Sequence, residues 1–313
     1  MGVGDRGCCS LEDAADAEQA ANRLDIPFYV LDLADDFRRQ VIARFVAEYQ
    51  RGATPNPCID CNRFIKFERL FLRAEQLGMD CVATGHYARI AKEGGRFLLK
   101  KASDLGKDQS YVLYAMTQDQ LRRTEFPLGE LQKTEVRAIA AANGFSNADK
   151  PDSQDICFVR DGKYADFICR YTGSDCEAGN FIDTEGQILG RHKGHIRYTI
   201  GQRKGLEIAL GKPMYVKEKN PADNTVTLCE EGGLYTRDFC AGDFNWIPFD
   251  KPEGMIRVKA KVRYSQQEHP ATAQAADDGS VRIKFDEPQR AIAKGQAVVL
   301  YDGDVVVGGG TIK

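Results

Sequence analysis

Near residue 153 the sequence changes its period, and that change limits the chain to a mixed architecture. Before it, apolar residues recur at helical spacing, broken by short apolar runs. Beyond it, Gly, Thr and β-branched residues rise and helical periodicity fades. Alternating helices and strands predict a parallel sheet with covering helices. From Asn224 onward short strands alternate with turns such as Asp277-Asp278-Gly279 and Asp302-Gly303, the pattern of a small β-barrel or sandwich. A chain of 313 residues has room for two or three such domains.

In the first half, Ser10-Leu11-Glu12-Asp13 fits a capping box that opens a helix reaching Leu24. Residues 26–33 predict a strand and 35–50 a second helix, stopped by Gly52. A third helix has Phe64, Phe67, Phe71, Ala74 and Leu77 near one face and Gly78 as its cap. Residues 79–84 predict a short buried strand, with Cys81 in the core. Gly85-His86-Tyr87 then falls at the carboxyl end of a strand, where open α/β sheets bind ligands. A hairpin is expected over 87–101, turning at Glu93-Gly94-Gly95. Helices are expected over 109–116, 118–123, 133–143 and 163–171.

Composition narrows the class. Hydrophobic residues make up 42% and charged residues 28%, which suits a soluble protein with a substantial core. No apolar run approaches the roughly 18 residues of a membrane span, and Met1–Cys9 lacks the apolar stretch of a signal peptide. A cytoplasmic location with no membrane partner is expected. The ten cysteines do not follow a disulfide framework, so reduced thiols are expected. With a net charge of −3, binding nucleic acid requires a local basic face.

Cys58-Ile59-Asp60-Cys61 is a C-x-x-C on a Pro-rich turn just before a helix. Cys61 is expected at or near that helix's N-terminus, with Arg63 and Lys66 following. Backbone N–H groups and positive charge there favour a thiolate nucleophile. Structural zinc, a thioredoxin-like redox pair and a plain structural turn are the rival readings; zinc lacks a second C-x-x-C. Asp152-Ser153-Gln154-Asp155-Ile156-Cys157-Phe158 puts another cysteine in a polar loop. Lys107-Asp108-Gln109-Ser110-Tyr111 is a polar group at a helix start. Arg257, Lys259, Lys261 and Arg263 alternate along one strand and share a face. With Tyr264 they suit a phosphate track, or a merely solvated strand face. His192, Lys193, Arg197, Arg203 and Lys204 form a second basic cluster.

Together these fragments resemble one family, the tRNA-specific 2-thiouridylases (tRNA-uridine 2-sulfurtransferases). The segments that carry the resemblance are TPNPCIDCNRFIKF, ATGHYARI, KDQSYVLY, FPLGELQKTEVR, KPDSQDICFV, YTIGQRKGL, VRYS and FDEPQRAIAKGQAVVLYDGDVVVGGG, in the family's order along nearly the whole chain. The resemblance implies an α/β fold of the adenine nucleotide alpha hydrolase type, Rossmann-like with a PP-loop. Domain bounds of 1–153 for this nucleotide-binding part, 154–220 for a small central tRNA-binding domain and 221–313 for a C-terminal β-barrel follow.

The resemblance also implies chemistry. Such enzymes use ATP with Mg2+ to adenylate the C2 oxygen of the wobble uridine in lysine, glutamate and glutamine tRNAs, then replace that oxygen with sulfur. Cys61 matches the nucleophile and Cys157 the persulfide carrier, supplied by a cysteine desulfurase or a sulfur-relay protein. The pair ends as a disulfide that an external reductant opens. Gly85 matches a nucleotide contact. Asn56, Pro57 and Cys58 match the segment touching the flipped base. His86, Lys107, Asp108, Gln109, Arg263, Tyr264 and Gln296 match tRNA-contacting positions.

The sequence departs from the family pattern twice. It contains no SGGVDS-type loop to grip ATP phosphates through backbone N–H groups. The reading from sequence is an N-terminally shortened nucleotide domain with a missing central strand and weak ATP binding; an inactive tRNA-binding remnant is the alternative. Many relatives also carry Asp where this chain has Cys58. Three thiols, Cys58, Cys61 and Cys157, are candidate ligands of a [4Fe–4S] cluster. A different ATP pyrophosphatase, such as an amide-forming ligase, has no need of DSQDICF.

Overall fold

The computed structural model of the protein describes residues 11–145, 147–148, 156–159 and 163–313. Ser10 of the expected capping box and Asp152–Asp155 of the second cysteine motif lie outside the described residues.

A helix over Leu11–Leu24 comes first. Three segments, Ala34–Phe37, Arg38–Ile42 and Ala43–Gln50, run on as one rod. A second rod follows from Pro57–Asp60 through Cys61–Arg69 to Leu70–Gln76. Both rods widen to i→i+5 turns, over Arg38–Ile42 and Cys61–Arg69. Such turns are frequent at functional sites. The second rod buries Phe67, Phe71 and Ala74 as its periodicity predicts, but Leu77 lies past its last turn and is exposed.

Two expectations for this half fail, for one reason. A strand exists only where a ladder partner does. Residues 26–33 find none among the described residues, and Ile26, Tyr29 and Val30 stay exposed. The 79–84 run shrinks to β1 (Val82–Ala83), which pairs in parallel only with β4 (Thr124–Glu125). Val82 and Thr124 face a core, while Cys81 alternates to the open side and is exposed. The core position expected for Cys81 is thus corrected.

The hairpin β2 (Ala88–Glu93) and β3 (Arg96–Lys101) forms as expected but joins the other half of the chain. Val305 pairs with Lys100, and the Lys101 N–H donates to the Asp304 carbonyl at 2.8 Å. Arg89 adds an ion pair to Asp304 at 2.9 Å.

That other half is a closed six-stranded barrel. Its ring runs β13 (Ala297–Asp302), β10 (Met255–Lys261), β11 (His269–Ala275), β12 (Val281–Arg290), β9 (Tyr235–Trp246) and β14 (Val305–Ile312), and β14 returns to β13. Val258, Ala260, Ala271, Ala273, Ile283 and Phe285 fill it. Strand β13 is buried on both faces because Val298 and Leu300 point into the barrel, while Val299 and Tyr301 join Phe67, Leu99 and Tyr111 outside. Gly309 permits this close docking: a Cβ there would lie 2.7 Å from the Tyr114 ring. The Asn245 amide fastens the same junction, donating to the carbonyls of Tyr114 (2.7 Å) and Met116 (3.0 Å).

Between these halves sits a four-stranded sheet in the order β6-β5-β8-β7: β5 (Gly179–Ile182), β6 (Ile188–His192), β7 (Tyr215–Asn220) and β8 (Thr225–Cys229). Phe181, Val216, Val226 and Leu228 form its core. A helix over Tyr164–Thr172 precedes it and ends at left-handed Gly173. That turn brings Cys176 back to Cys169, and the two form a disulfide. The expectation of reduced thiols fails at this pair.

The second basic cluster is partly engaged, with Arg203 and Lys204 left exposed. His192 is buried; its Nδ1 accepts from the Gly194 N–H and its Nε2 meets the Asn224 carbonyl at 3.1 Å. Lys193 is paired with Glu207, and Arg197 with Asp166 at 2.9 Å. On β10 Arg257 and Lys259 point outward, with Arg257 tied to Asp286, but the strand ends at the half-buried Lys261, so Arg263 lies past it and not on the expected face.

Candidate active site and nucleic-acid interface

Asn56 and Pro57 start the cysteine helix, the rod over 57–76. The Asn56 side chain accepts the Cys58 N–H at 3.1 Å, and Pro57 fills the first helical position, where a missing N–H costs little. Cys58 therefore occupies the first turn and is exposed, while Cys61 lies one turn further in and is half-buried. The C-x-x-C sits inside the helix, not ahead of it, and the N-terminal place expected for Cys61 belongs to Cys58.

Charged groups flank Cys61. Burial pushes the Asp60 carboxyl upward, against the pull of Arg44 at 3.4 Å. Arg63 pairs with Asp243 of β9, and that bond holds its guanidinium charge more firmly. The guanidinium groups of Arg44 and Arg63 both lie over the Phe64 ring, 5.0 and 5.2 Å from its centroid. Lys66 reaches inward to His86 at 3.5 Å.

The residues on either side of Cys157, Ile156 and Phe158, pack on the neighbouring rod. The turn closes through the Val159 N–H to the Ile156 carbonyl at 2.9 Å. Phe158 inserts edge-on between Phe37 (5.8 Å) and Phe45 (5.2 Å) of the 34–50 rod. The same rod meets the cysteine helix through Arg44–Asp60 and through Asp36–Arg69 at 3.0 Å. One helix thus carries both cysteine segments, although their motifs are far apart in sequence.

The other expected residues gather at the seam with the barrel. Tyr264 donates its hydroxyl to the Asp108 carbonyl at 3.1 Å. Burial raises that hydroxyl's pKa, and negative charge on Asp108 and Cys58 adds to the effect while Lys107 opposes it. Cys58, Lys107 and Asp108 are therefore each within electrostatic reach of Tyr264. Lys261 lies 5.7 Å from the ring centroids of both Tyr111 and Tyr264. Arg263 donates to the Ala291 carbonyl. Gln296 donates to the Thr54 carbonyl at 2.7 Å, tying the barrel to the turn before Asn56. The Asp108 carboxylate accepts from Ala102, Ser110 and the Ser110 hydroxyl, and Gln109 accepts the Tyr87 N–H. These two side chains brace the segment that holds Lys107.

Gly85 stands exposed after β1, and an added Cβ would meet only Leu128, at 3.8 Å. That open approach fits a nucleotide contact at the carboxyl end of a parallel pair. His86 is buried instead, at 6% exposure. Thr84 bonds its Nδ1 at 2.7 Å, and Phe67 and Phe126 pack on its ring. In this arrangement its ring is a packing group, not a surface contact. Burial, and next the Lys66 charge, lower its pKa from 6.5 to about 3. The unfolded chain therefore binds the proton that the folded one refuses, and stability present above pH 6.5 is lost as pH falls toward 3. The expected slope is about 1.4 kcal/mol per pH unit, or about 2 kcal/mol between pH 6.5 and 5. Urea unfolding of His86→Gln at these pH values checks this; an unchanged slope in the variant overturns it.

Among the described residues no group of three or more His, Cys, Asp or Glu side chains is gathered as metal ligands. Cys58, Cys61 and Cys157 thus do not form a ready cluster site. No helix among the described residues is long and apolar enough to cross a membrane. The sequence reading missed Thr54, Tyr111 and Asp243 as parts of this region; Thr54 and Tyr111 stood within motifs that pointed there, and Asp243 did not.

Family models match nearly the whole length in three parts. One described as tRNA methyl transferase HUP domain covers residues 2–161, a tRNA methyl transferase PRC-barrel domain covers 165–230, and an aminomethyltransferase beta-barrel domain covers 236–312. The chain is 50% identical over 309 residues to the tRNA-specific 2-thiouridylase of Clostridioides difficile and 52% identical over 309 residues to that of Acetivibrio thermocellus. In both cases this is 98% of the chain and 86% of the relative. The same enzyme of Clostridium acetobutylicum is 49% identical over 307 residues. With a HUP domain, a central PRC-barrel domain and a C-terminal barrel in that order, the chain belongs to the tRNA-specific 2-thiouridylase family.

Proposed function

We propose that this protein replaces the C2 oxygen of the wobble uridine in lysine, glutamate and glutamine tRNAs with sulfur, in an ATP-dependent reaction. One observation carries the reading: the capped start of the cysteine helix, with Cys58 exposed, lies within electrostatic reach of Tyr264, which also faces Lys107 and Lys261. A reactive cysteine pair next to aromatic and basic groups suits a flipped base on a phosphate track.

In this reading Lys107, Lys261 and Arg263 hold the backbone, and Tyr264 and the Asn56–Cys58 turn receive the base. ATP, contacted at Gly85, supplies the adenylyl group that makes the C2 oxygen a leaving group. Cys157 carries the sulfane sulfur as a persulfide delivered by a cysteine desulfurase or a relay protein. Cys61 attacks the persulfide's inner sulfur, the Cys61–Cys157 disulfide forms, and hydrosulfide leaves to attack C2. An external dithiol then restores both thiols. The test is mass analysis of nucleosides from tRNA incubated with the protein, ATP, Mg2+ and a persulfide donor. ATP-dependent 2-thiouridine supports the proposal; tRNA that binds without becoming thiolated favours a binding remnant.

A further inference from the structure

Lys219 is buried where a regular strand would leave it in water. Strict alternation along β7 would turn Val216 and Glu218 inward and Lys217 and Lys219 outward. A register shift between Val216 and Glu218 breaks that alternation, so Lys217 and Glu218 are both exposed and Lys219 turns in, 7% exposed. Bulges re-aim side chains in this way.

The ammonium finds no carboxylate partner among the described residues. Its Nζ donates to the Ala53 carbonyl at 3.4 Å and lies 5.4 Å from the Tyr49 ring centroid. Burying a charge on such partners is costly, and burial lowers this one's pKa to about 8. The titratable groups around it do not neutralise it. Burial keeps the Tyr49 hydroxyl protonated and pulls the His195 imidazole down, the latter with help from the Lys219 charge. Glu218 faces outward toward Lys294 at 3.8 Å.

What the ammonium holds is the turn before the cysteine helix. Gly52 packs against the end of β7, where a Cβ would lie 3.1 Å from the Lys219 carbonyl oxygen. From the opposite side, the Thr54 N–H donates to the Lys294 carbonyl at 2.8 Å and Gln296 donates to Thr54. Gly295, at φ +85°, sits so close that a Cβ would lie 2.8 Å from that of Ala53. Residues 52–54 are gripped between the central sheet and the barrel, just ahead of Asn56 and Cys58.

We propose that Lys219 is a positioning residue: its inward-turned ammonium anchors the Ala53 carbonyl and fixes the turn from which the cysteine helix starts. The consequence for sulfur transfer rests on the reading of Cys61 as nucleophile; the anchoring does not.

The experiment uses Lys219→Met and Lys219→Arg in the full chain, with residue-resolved amide exchange, denaturant unfolding and tRNA thiolation. In K219M the Ala53, Thr54 and Cys58 amides are expected to exchange about tenfold faster or more, as loss of a charged hydrogen bond implies. The global unfolding midpoint should stay level or rise, because a buried charge is gone. K219R should keep the protection. In the wild type, protection of these amides should fall as pH passes 8, and in K219R it should not. Unchanged exchange in K219M overturns the proposal. So does a parallel fall of local protection and global midpoint, which is the mark of packing alone. If exchange responds as expected but Cys61→Ser still thiolates tRNA, the anchor stands and the reading of Cys61 falls.

Discussion

Cys61→Ser is expected to end 2-thiouridine formation, lowering the rate by roughly four orders of magnitude or more, as loss of a nucleophile does. The half-buried thiol lies one turn into a capped helix, so serine fits without disturbing the fold. Affinity for tRNA and the unfolding midpoint should therefore stay near wild type. Cys157→Ser should be as severe, and the double variant little worse than either single, because the two cysteines act in one step. Mass spectrometry of protein incubated with a persulfide donor should find the extra sulfur on Cys157 in the Cys61→Ser variant. Thiolation that survives in either variant, or sulfur that accumulates on Cys58 instead, would sink the assignment.

The second large effect concerns the barrel. Lys261 and Arg263 emerge at the end of β10, beside Tyr264 and close to Lys107. Lys261→Ala with Arg263→Ala should weaken tRNA binding by about 30-fold or more at physiological salt and reduce the slope of log affinity against log salt by about two. Arg257→Ala and Lys259→Ala should do less, because Arg257 is already engaged by Asp286 and both stand further along the strand. Filter binding across a salt series measures this. A double variant with the wild-type slope would mean that the phosphate track runs elsewhere.

Local signals read well from sequence. The Phe67–Phe71–Ala74 face was buried as spaced, and the alternation along β10 to β14 became barrel strands, whereas the Pro-rich stretch read as a turn ahead of the cysteine helix is that helix's first turn. What failed was everything that depends on a distant partner. Residues 26–33 have strand composition, but a strand also needs a neighbour. The hairpin β2–β3 was legible as a hairpin, whereas its attachment to β14 was not. His86 and His192 looked like surface groups because a lone histidine carries no mark of burial. Lys219 was hidden for a different reason: in Lys217-Glu218-Lys219 every residue is charged, so no apolar step betrays the bulge.

The candidate site shows the same division. Its residues were found through short motifs, each weak alone and specific in series. Their meeting place was not visible, since Cys58, Asp108, Tyr264 and Gln296 come from segments far apart in the chain. The register of β13, buried on both faces, is what brings the last two to the first two.

Protein synthesis runs from one end, and the β3–β14 bridge makes it wait for the other. Leu99 and Tyr111 complete their core only with Val299, Tyr301 and Val306. At about 5–20 residues per second, the ribosome needs roughly 10–40 s to move from the hairpin to that last strand. Throughout that interval the β3 edge lacks its β14 partner, and the core around Leu99 lacks the part that β13 and β14 supply. The hairpin and the barrel therefore become one folding unit only after β14 has been made.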